Sequence, residues 1–220
     1  MSAMSAPQTE PLQLYLLRHA DAGDPMAWPG DDAERPLSPK GRRQARRLGS
    51  MLADIGWKPD LILTSPKLRA ADTARLVGRA VDVKPEDEGR LAAAFDVGDV
   101  ATMVAAHPEA KRVVLVGHDP DFSAIASALT GAAIELRKGA IARIDLQDGS
   151  PSAGQGALRW LIPPELSPTD LGQTAADGPC APAADRFAQS PRSAAAGKIP
   201  PGTRVWAIPL RRSMRFGAIR

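Results

Sequence analysis

Cysteine is almost missing: Cys180 is the only one in 220 residues. A single thiol closes no internal disulfide, so an oxidising compartment is not implied, and it supplies no thiolate cluster for a metal. Histidine is scarce too, with three in the chain, at positions 19, 107 and 118, and these lack the spacing of a metal-ligand set. Aromatic residues make up 4%, too few for a platform on which nucleic-acid bases stack. No apolar run approaches the roughly 20 residues a membrane helix needs. The opening MSAMSAPQTEPLQ has neither the basic nor the long apolar part of a secretory signal. The formal net charge of +3 is too small a surplus to imply nucleic-acid binding, which concentrates positive charge on one face. These absences predict a soluble, cytoplasmic protein without a nucleic-acid or membrane partner. A monomer is expected. A modest positive balance also suits a chain that binds an anion.

What is present is a globular composition, 44% hydrophobic and 24% charged, enough for the core of one ordinary domain. The 21 prolines and 19 glycines are unevenly spread. Residues 1–11 read as a polar, disordered leader and 12–165 as the folded domain. Residues 166–220 read as a disordered tail, since from about Pro163 to Gly202 the chain is rich in Pro, Ala, Gly and Ser with little periodicity. The tail ends in GTRVWAIPLRRSMRFGAIR, with Arg204, Arg211, Arg212, Arg215 and Arg220 and no acid. A short strand over Arg204 to Ile208, docked on the domain edge, is the alternative there.

Within the domain, LQLYLL (12–17) predicts a strand, followed by a Pro-, Gly- and Asp-rich loop from Asp21 to Pro36. Ser38 and Pro39 give the cap and first-turn signal of a helix. Ala45, Leu48, Met51, Leu52 and Ile55 recur at helical spacing, with Arg42, Arg43, Arg46 and Arg47 on the other side and Gly56 as the stop. DLILT (60–64) predicts a second strand. Ser65-Pro66 repeats the cap-plus-proline signal for a helix to about Ala80, and a short strand is expected near Val81 to Val83. Asp99 is expected to cap a short helix ending before His107-Pro108. RVVLV (112–116) is the strongest strand signal. Asp119-Pro120 opens a helix to about Thr130, stopped by Gly131, and Ala140–Leu146 and Ala157–Ile162 read as closing strands. Alternating strands and helices with continuous apolar strands predict an α/β fold, a three-layer sandwich with a mostly parallel central sheet flanked by helices.

Three motifs fall just past strands. Arg18-His19 follows the first strand, Arg69 opens the helix after the second, and His118 follows RVVLV. Ligands of open α/β sheets bind outside the carboxyl ends of the strands, and helix N-termini there add donors for an anion. Taken singly, each residue reads as a surface charge or loop polar group. Three strand ends each delivering a cation or imidazole to one rim point instead to a phosphate site.

The flanking residues carry a resemblance. LLRHADAG resembles the Arg-His signature of the histidine phosphatase superfamily, with its phosphoglycerate mutase-like fold. ERPLSPKGRRQARRLG is similar to that family's next helix segment, TSPKLRAADTA to its second-arginine motif and VGHDPDFS to its second-histidine motif. Order and spacing match over about residues 12 to 162. The short chain, the Arg-His-Ala variant and the ending LRWLIPPEL resemble the small SixA-type phosphohistidine phosphatases.

The resemblance implies that His19 is a nucleophile forming a covalent phosphohistidine that water hydrolyses. It implies that Arg18 and Arg69 clamp the phosphoryl oxygens, that His118 donates to them, and that no metal or other cofactor takes part. An imidazole has an ordinary pKa near 6.5, so a neutral fraction is available near pH 7. Planar guanidiniums match phosphoryl oxygens bidentately and stay charged. The superfamily's general acid has no clear counterpart, and Asp96, Asp99, Asp21 and Asp119 are the candidates. That gap favours a phosphoramidate substrate, because a phosphohistidine can leave as neutral imidazole whereas an alcohol needs a proton. His107, before Pro108, has no assigned role. The expected partner is therefore a protein carrying phosphohistidine. The alternatives are a small phosphorylated metabolite as substrate, or a phosphate-binding module without turnover. The chain lacks a long helical insertion between residues 80 and 110, so an open rim that favours a protein substrate is expected, and a mutase fits less well because the short middle segment leaves little to hold a second phosphate.

Overall fold

The computed structural model describes residues 11–146 and 149–166. The leader up to residue 10, Cys180, the Arg204–Ile208 alternative and all but the start of the expected tail lie outside the described residues.

Six strands form one sheet in the order β3-β2-β4-β1-β5-β6. They are β1 (Leu12–Arg18), β2 (Leu61–Thr64), β3 (Glu86–Asp87), β4 (Arg112–Gly117), β5 (Ile141–Leu146) and β6 (Gly156–Ile162). β1 to β4 run parallel, while β5 and β6 are antiparallel additions beside β1. Four α-helices accompany them: α1 (Pro39–Asp54), α2 (Leu68–Val81), α3 (Val97–Ala105) and α4 (Asp121–Thr130). This is the expected sandwich with a mostly parallel sheet.

The apolar run of β1 explains the layering. Successive side chains of a strand point to opposite faces. Leu14 and Leu16 join one core cluster with Val100 and Met103 of α3 and Phe122 and Ile125 of α4. Tyr15 and Leu17 join the other, with Leu48 and Leu52 of α1 and Ala74 and Val77 of α2. Both faces of the strand are covered, which is why it reads as a continuous hydrophobic run rather than an alternating one.

Four expectations about elements need correction. Val81 to Val83 is not a strand: α2 runs through Val81, whose side chain packs among helix and sheet residues, and Asp82 ends the helix in the left-handed conformation with φ 57°. The short strand comes later, at Glu86–Asp87. α3 is capped by Asp96, with Asp99 as the third helical residue completing a reciprocal capping box. Ser65 does not cap α2, which begins at Leu68 after Lys67 without a side-chain cap. Ile55 lies past the end of α1 and is 67% exposed, so the buried stripe of that helix stops at Leu52.

Candidate active site

The parallel register places the site. β2, β4 and β1 are neighbours, and Thr64 pairs with Val116 while Arg18 pairs with Gly117. The next residue of each strand is therefore Ser65, His118 and His19, side by side on one rim. The backbone N–H of His19 donates to the Gly117 carbonyl at 2.9 Å, and that of Ser65 to the Val116 carbonyl at 2.9 Å. The rings of His19 and His118 have centroids 5.1 Å apart.

Hydrogen bonds hold each group. His19 is buried, and its Nδ1 lies 2.7 Å from the Ala20 carbonyl oxygen. A carbonyl only accepts, so Nδ1 carries the proton and Nε2 the lone pair. The Ala20 N–H donates to Thr73 Oγ1, whose hydroxyl donates to the Arg69 carbonyl, which ties the His19 loop to α2. Arg18 donates from Nη1 to the Leu136 carbonyl at 2.7 Å and pairs with Asp119 at 3.5 Å. Arg69 is buried and held by Asp32, through Nη1 to its carbonyl at 2.7 Å and Nη2 to its carboxylate at 3.0 Å. The other Asp32 oxygen accepts from Arg35 Nε at 2.8 Å, and Arg35 also donates to the carbonyls of Ala22 and Gly23. Arg35 thus pins the loop that carries Asp32, and Asp32 orients Arg69. Neither Arg35 nor Asp32 was singled out from the sequence. The ERPLSP stretch was the available signal.

What these contacts leave over is informative. Among the described residues, Arg18 Nε, Arg69 Nε and His118 Nδ1 are buried without a hydrogen-bond partner. Burial, opposed by the Ala20 hydrogen bond and reinforced by the charges of Arg69, Arg18 and Lys138, pushes the His19 pKa down from 6.5 to about 4. Burial, with His19, Arg69 and Lys67 nearby, pushes that of His118 down to about 3. The four groups predicted from separate motifs thus influence one another electrostatically. Lys67 and Lys138 were not foreseen and add positive charge to the same rim.

The carboxylates divide differently. Asp96 and Asp99 are tied to each other's backbone N–H groups at the start of α3. Asp21 accepts the Ser38 hydroxyl at 2.5 Å, and this bond holds its pKa below the ordinary carboxylate value. Asp119 accepts from the Ser123 N–H and hydroxyl and pairs with Arg18. Each of these four carboxylates is thus already engaged as a hydrogen-bond acceptor. Asp121, at the first turn of α4, is a carboxyl whose pKa is raised, by burial first and then by the charge of Asp119. Among the described residues no cluster of three or more His, Cys, Asp or Glu side chains could hold a metal ion, and no helix is long and apolar enough to cross a membrane.

A doubly covered, mostly parallel sheet that gathers two imidazoles and two guanidiniums at its carboxyl rim defines a phosphoryl-handling class of α/β enzyme. The family profile described as the histidine phosphatase superfamily (branch 1) matches residues 14–103. A relative from Picosynechococcus sp. is 32% identical over 167 residues, covering 69% of this chain and 100% of the relative. The phosphohistidine phosphatase SixA of Escherichia coli is 26% identical over 159 residues, covering 70% of this chain and 94% of that protein. A solved protein histidine phosphatase SixA complexed with tungstate superposes with a TM-score of 0.60 at 26% identity, covering 69% of this chain and 97% of that one. The chain belongs to the histidine phosphatase superfamily. It is a phosphatase, a hydrolase of a phosphorylated substrate.

Proposed function

We infer that the chain removes a phosphoryl group through a covalent intermediate on Nε2 of His19, and that its substrate is phosphohistidine on a protein. One observation carries the reading: Arg18 Nε, Arg69 Nε and His118 Nδ1 are buried without a partner among the described residues, His118 packs 5.1 Å from the His19 ring, both guanidiniums act on that ring electrostatically, and the ring's own hydrogen bond leaves Nε2 with its lone pair. Each buried, unpaired guanidinium N–H costs on the order of 1–3 kcal/mol, and a tetrahedral oxyanion seated against His19 removes that cost. A pKa of about 4 keeps His19 neutral and nucleophilic near neutral pH.

In the first step the Nε2–P bond forms as the substrate's P–N bond breaks, and the bonding pair leaves on the substrate imidazole. That imidazole departs neutral when its other nitrogen already carries a proton. In the second step water attacks phosphorus, the Nε2–P pair returns to His19, and the water proton passes to phosphate or solvent. Arg18 and Arg69 hold the equatorial oxygens in both steps, as fixed charges aimed at the transferring group. Asp21, Asp96, Asp99 and Asp119 are each already engaged as hydrogen-bond acceptors within the protein, and this supports a leaving group that needs no proton.

A second reading, a small-molecule phosphomonoesterase, is favoured by Asp121, whose raised pKa suits proton donation to an alcohol. The test compares a phosphorylated histidine-phosphotransfer domain with a panel of metabolite monoesters, with chelator present, for the wild type and Asp121→Asn. The expected result is a preference of at least about 100-fold in kcat/KM for the phosphohistidine, unchanged in Asp121→Asn. Comparable turnover of a monoester, lost in Asp121→Asn, replaces the first reading with the second. A metal requirement for turnover contradicts both.

A further inference from the structure

Ser65 is fully buried, and its hydroxyl is not the helix cap its sequence position suggests. Its Oγ lies 2.9 Å from His118 Nε2. It also accepts a hydrogen bond from the Lys67 N–H at 3.3 Å. A serine hydroxyl has one proton and two lone pairs, so the contact to His118 has two possible polarities. If His118 Nε2–H donated, the Ser65 hydroxyl proton would have no acceptor among the described residues. If Ser65 donates to the Nε2 lone pair, the hydroxyl is satisfied on both sides. Satisfaction of buried polar groups selects the second arrangement.

We propose that Ser65 is a positioning residue that sets the tautomer of His118: by donating to Nε2 it forces the ring proton onto Nδ1, the buried nitrogen that has no partner among the described residues. The proposal rests on the reading of this rim as a phosphoryl site, and it adds the sign of the interaction there. A neutral imidazole presents either a proton or a lone pair to an anion. With Nδ1–H it is a donor to a phosphoryl oxygen. In the other tautomer, the Nδ1 lone pair would face the oxygens and repel them. The burial that keeps His118 neutral makes this choice matter, because an imidazolium would donate from both nitrogens regardless of Ser65. Position 65 is well suited to the task. Its backbone is pinned to β4 through the Val116 carbonyl, and His118 directly follows the last residue of β4, so the hydroxyl and the ring are fixed at adjacent strand ends.

The experiment combines nitrogen-15 NMR of the imidazoles with kinetics on the full chain. Three histidines make assignment simple, by single replacement of His19, His107 and His118. In the wild type near neutral pH, His118 is expected as the Nδ1–H tautomer. Ser65→Ala is expected to shift it toward Nε2–H and to lower kcat/KM by about 100-fold, the size of effect seen when one oxyanion donor is lost. Ser65→Thr keeps the hydroxyl and is expected to restore both the Nδ1–H signature and most of the activity. An Nε2–H tautomer of His118 in the wild type overturns the proposal. So does a Ser65→Ala protein with unchanged tautomer, or a Ser65→Thr protein as inactive as Ser65→Ala while retaining the wild-type fold in the same spectra. The tautomer is read without substrate, so a chain that failed to hydrolyse phosphohistidine would refute the functional reading and leave this measurement intact.

Discussion

Acidification tests the burial of the two site imidazoles without any substrate. In the unfolded chain both take up a proton near the ordinary pKa of 6.5, while in the fold they do so only near about 4 for His19 and about 3 for His118. The folded state therefore binds fewer protons as pH falls through 6.5. The stability linked to these groups is fully present above 6.5 and is lost progressively as pH falls toward the folded values. At about pH 5, a His19 still neutral in the fold and protonated when unfolded costs about 1.5 units at 1.36 kcal/mol each, or about 2 kcal/mol. His118 is less completely buried, and discounting for solvent screening leaves about 1 kcal/mol. Chemical denaturation at about pH 7.5 and about pH 5 should thus show a loss of about 3 kcal/mol. In a His19→Asn, His118→Gln double variant that component should vanish. Equal pH dependence of the double variant and the wild type would refute the burial argument.

Other outcomes follow from particular contacts. Arg69→Lys and Arg18→Lys each remove a planar donor set and should lower kcat/KM by about 100-fold or more, with little change in thermal midpoint, since a point charge does not replace a fork of N–H groups. Gly41→Ala should destabilise by about 2 kcal/mol or more in denaturant titration, because a Cβ at that position of α1 would collide with the backbone oxygen of Asp21 in the loop after His19. Gly117→Ala would place a Cβ 2.9 Å from the Phe122 ring. It should displace the start of α4 and, through the neighbouring His118, reduce activity more than it reduces stability.

Much of this arrangement was legible in the chain, and the reason is local. β1, β2 and β4 are buried on both faces, so LQLYLL, DLILT and RVVLV stand out as continuous apolar runs, and the polar residue that ends each run marks the rim. Ser38 caps α1 as expected because its partner, the Gly41 N–H, is three residues away. What escaped depends on contacts between distant segments. Ser65 carries the same Ser-Pro signal as Ser38, yet its hydroxyl is drawn to His118, a residue brought alongside only by the β2–β4 register. The Arg35–Asp32–Arg69 chain joins the loop after β1 to α2, and no spacing rule predicts it. Asp96 and Asp99 share one capping box, so composition alone could not say which begins the helix. The strand expected at Val81 was displaced because β-branched residues also fill a helix face that packs on a sheet.

The most direct measurement of the central claim is the phosphoenzyme itself. Rapid quench of the full chain with a phosphorylated histidine-phosphotransfer domain, followed by phosphorus-31 NMR and peptide mapping, should find acid-labile phosphate on Nε2 of His19, and none in His19→Ala. Phosphate on another residue, or turnover by His19→Ala at the wild-type rate, would contradict it.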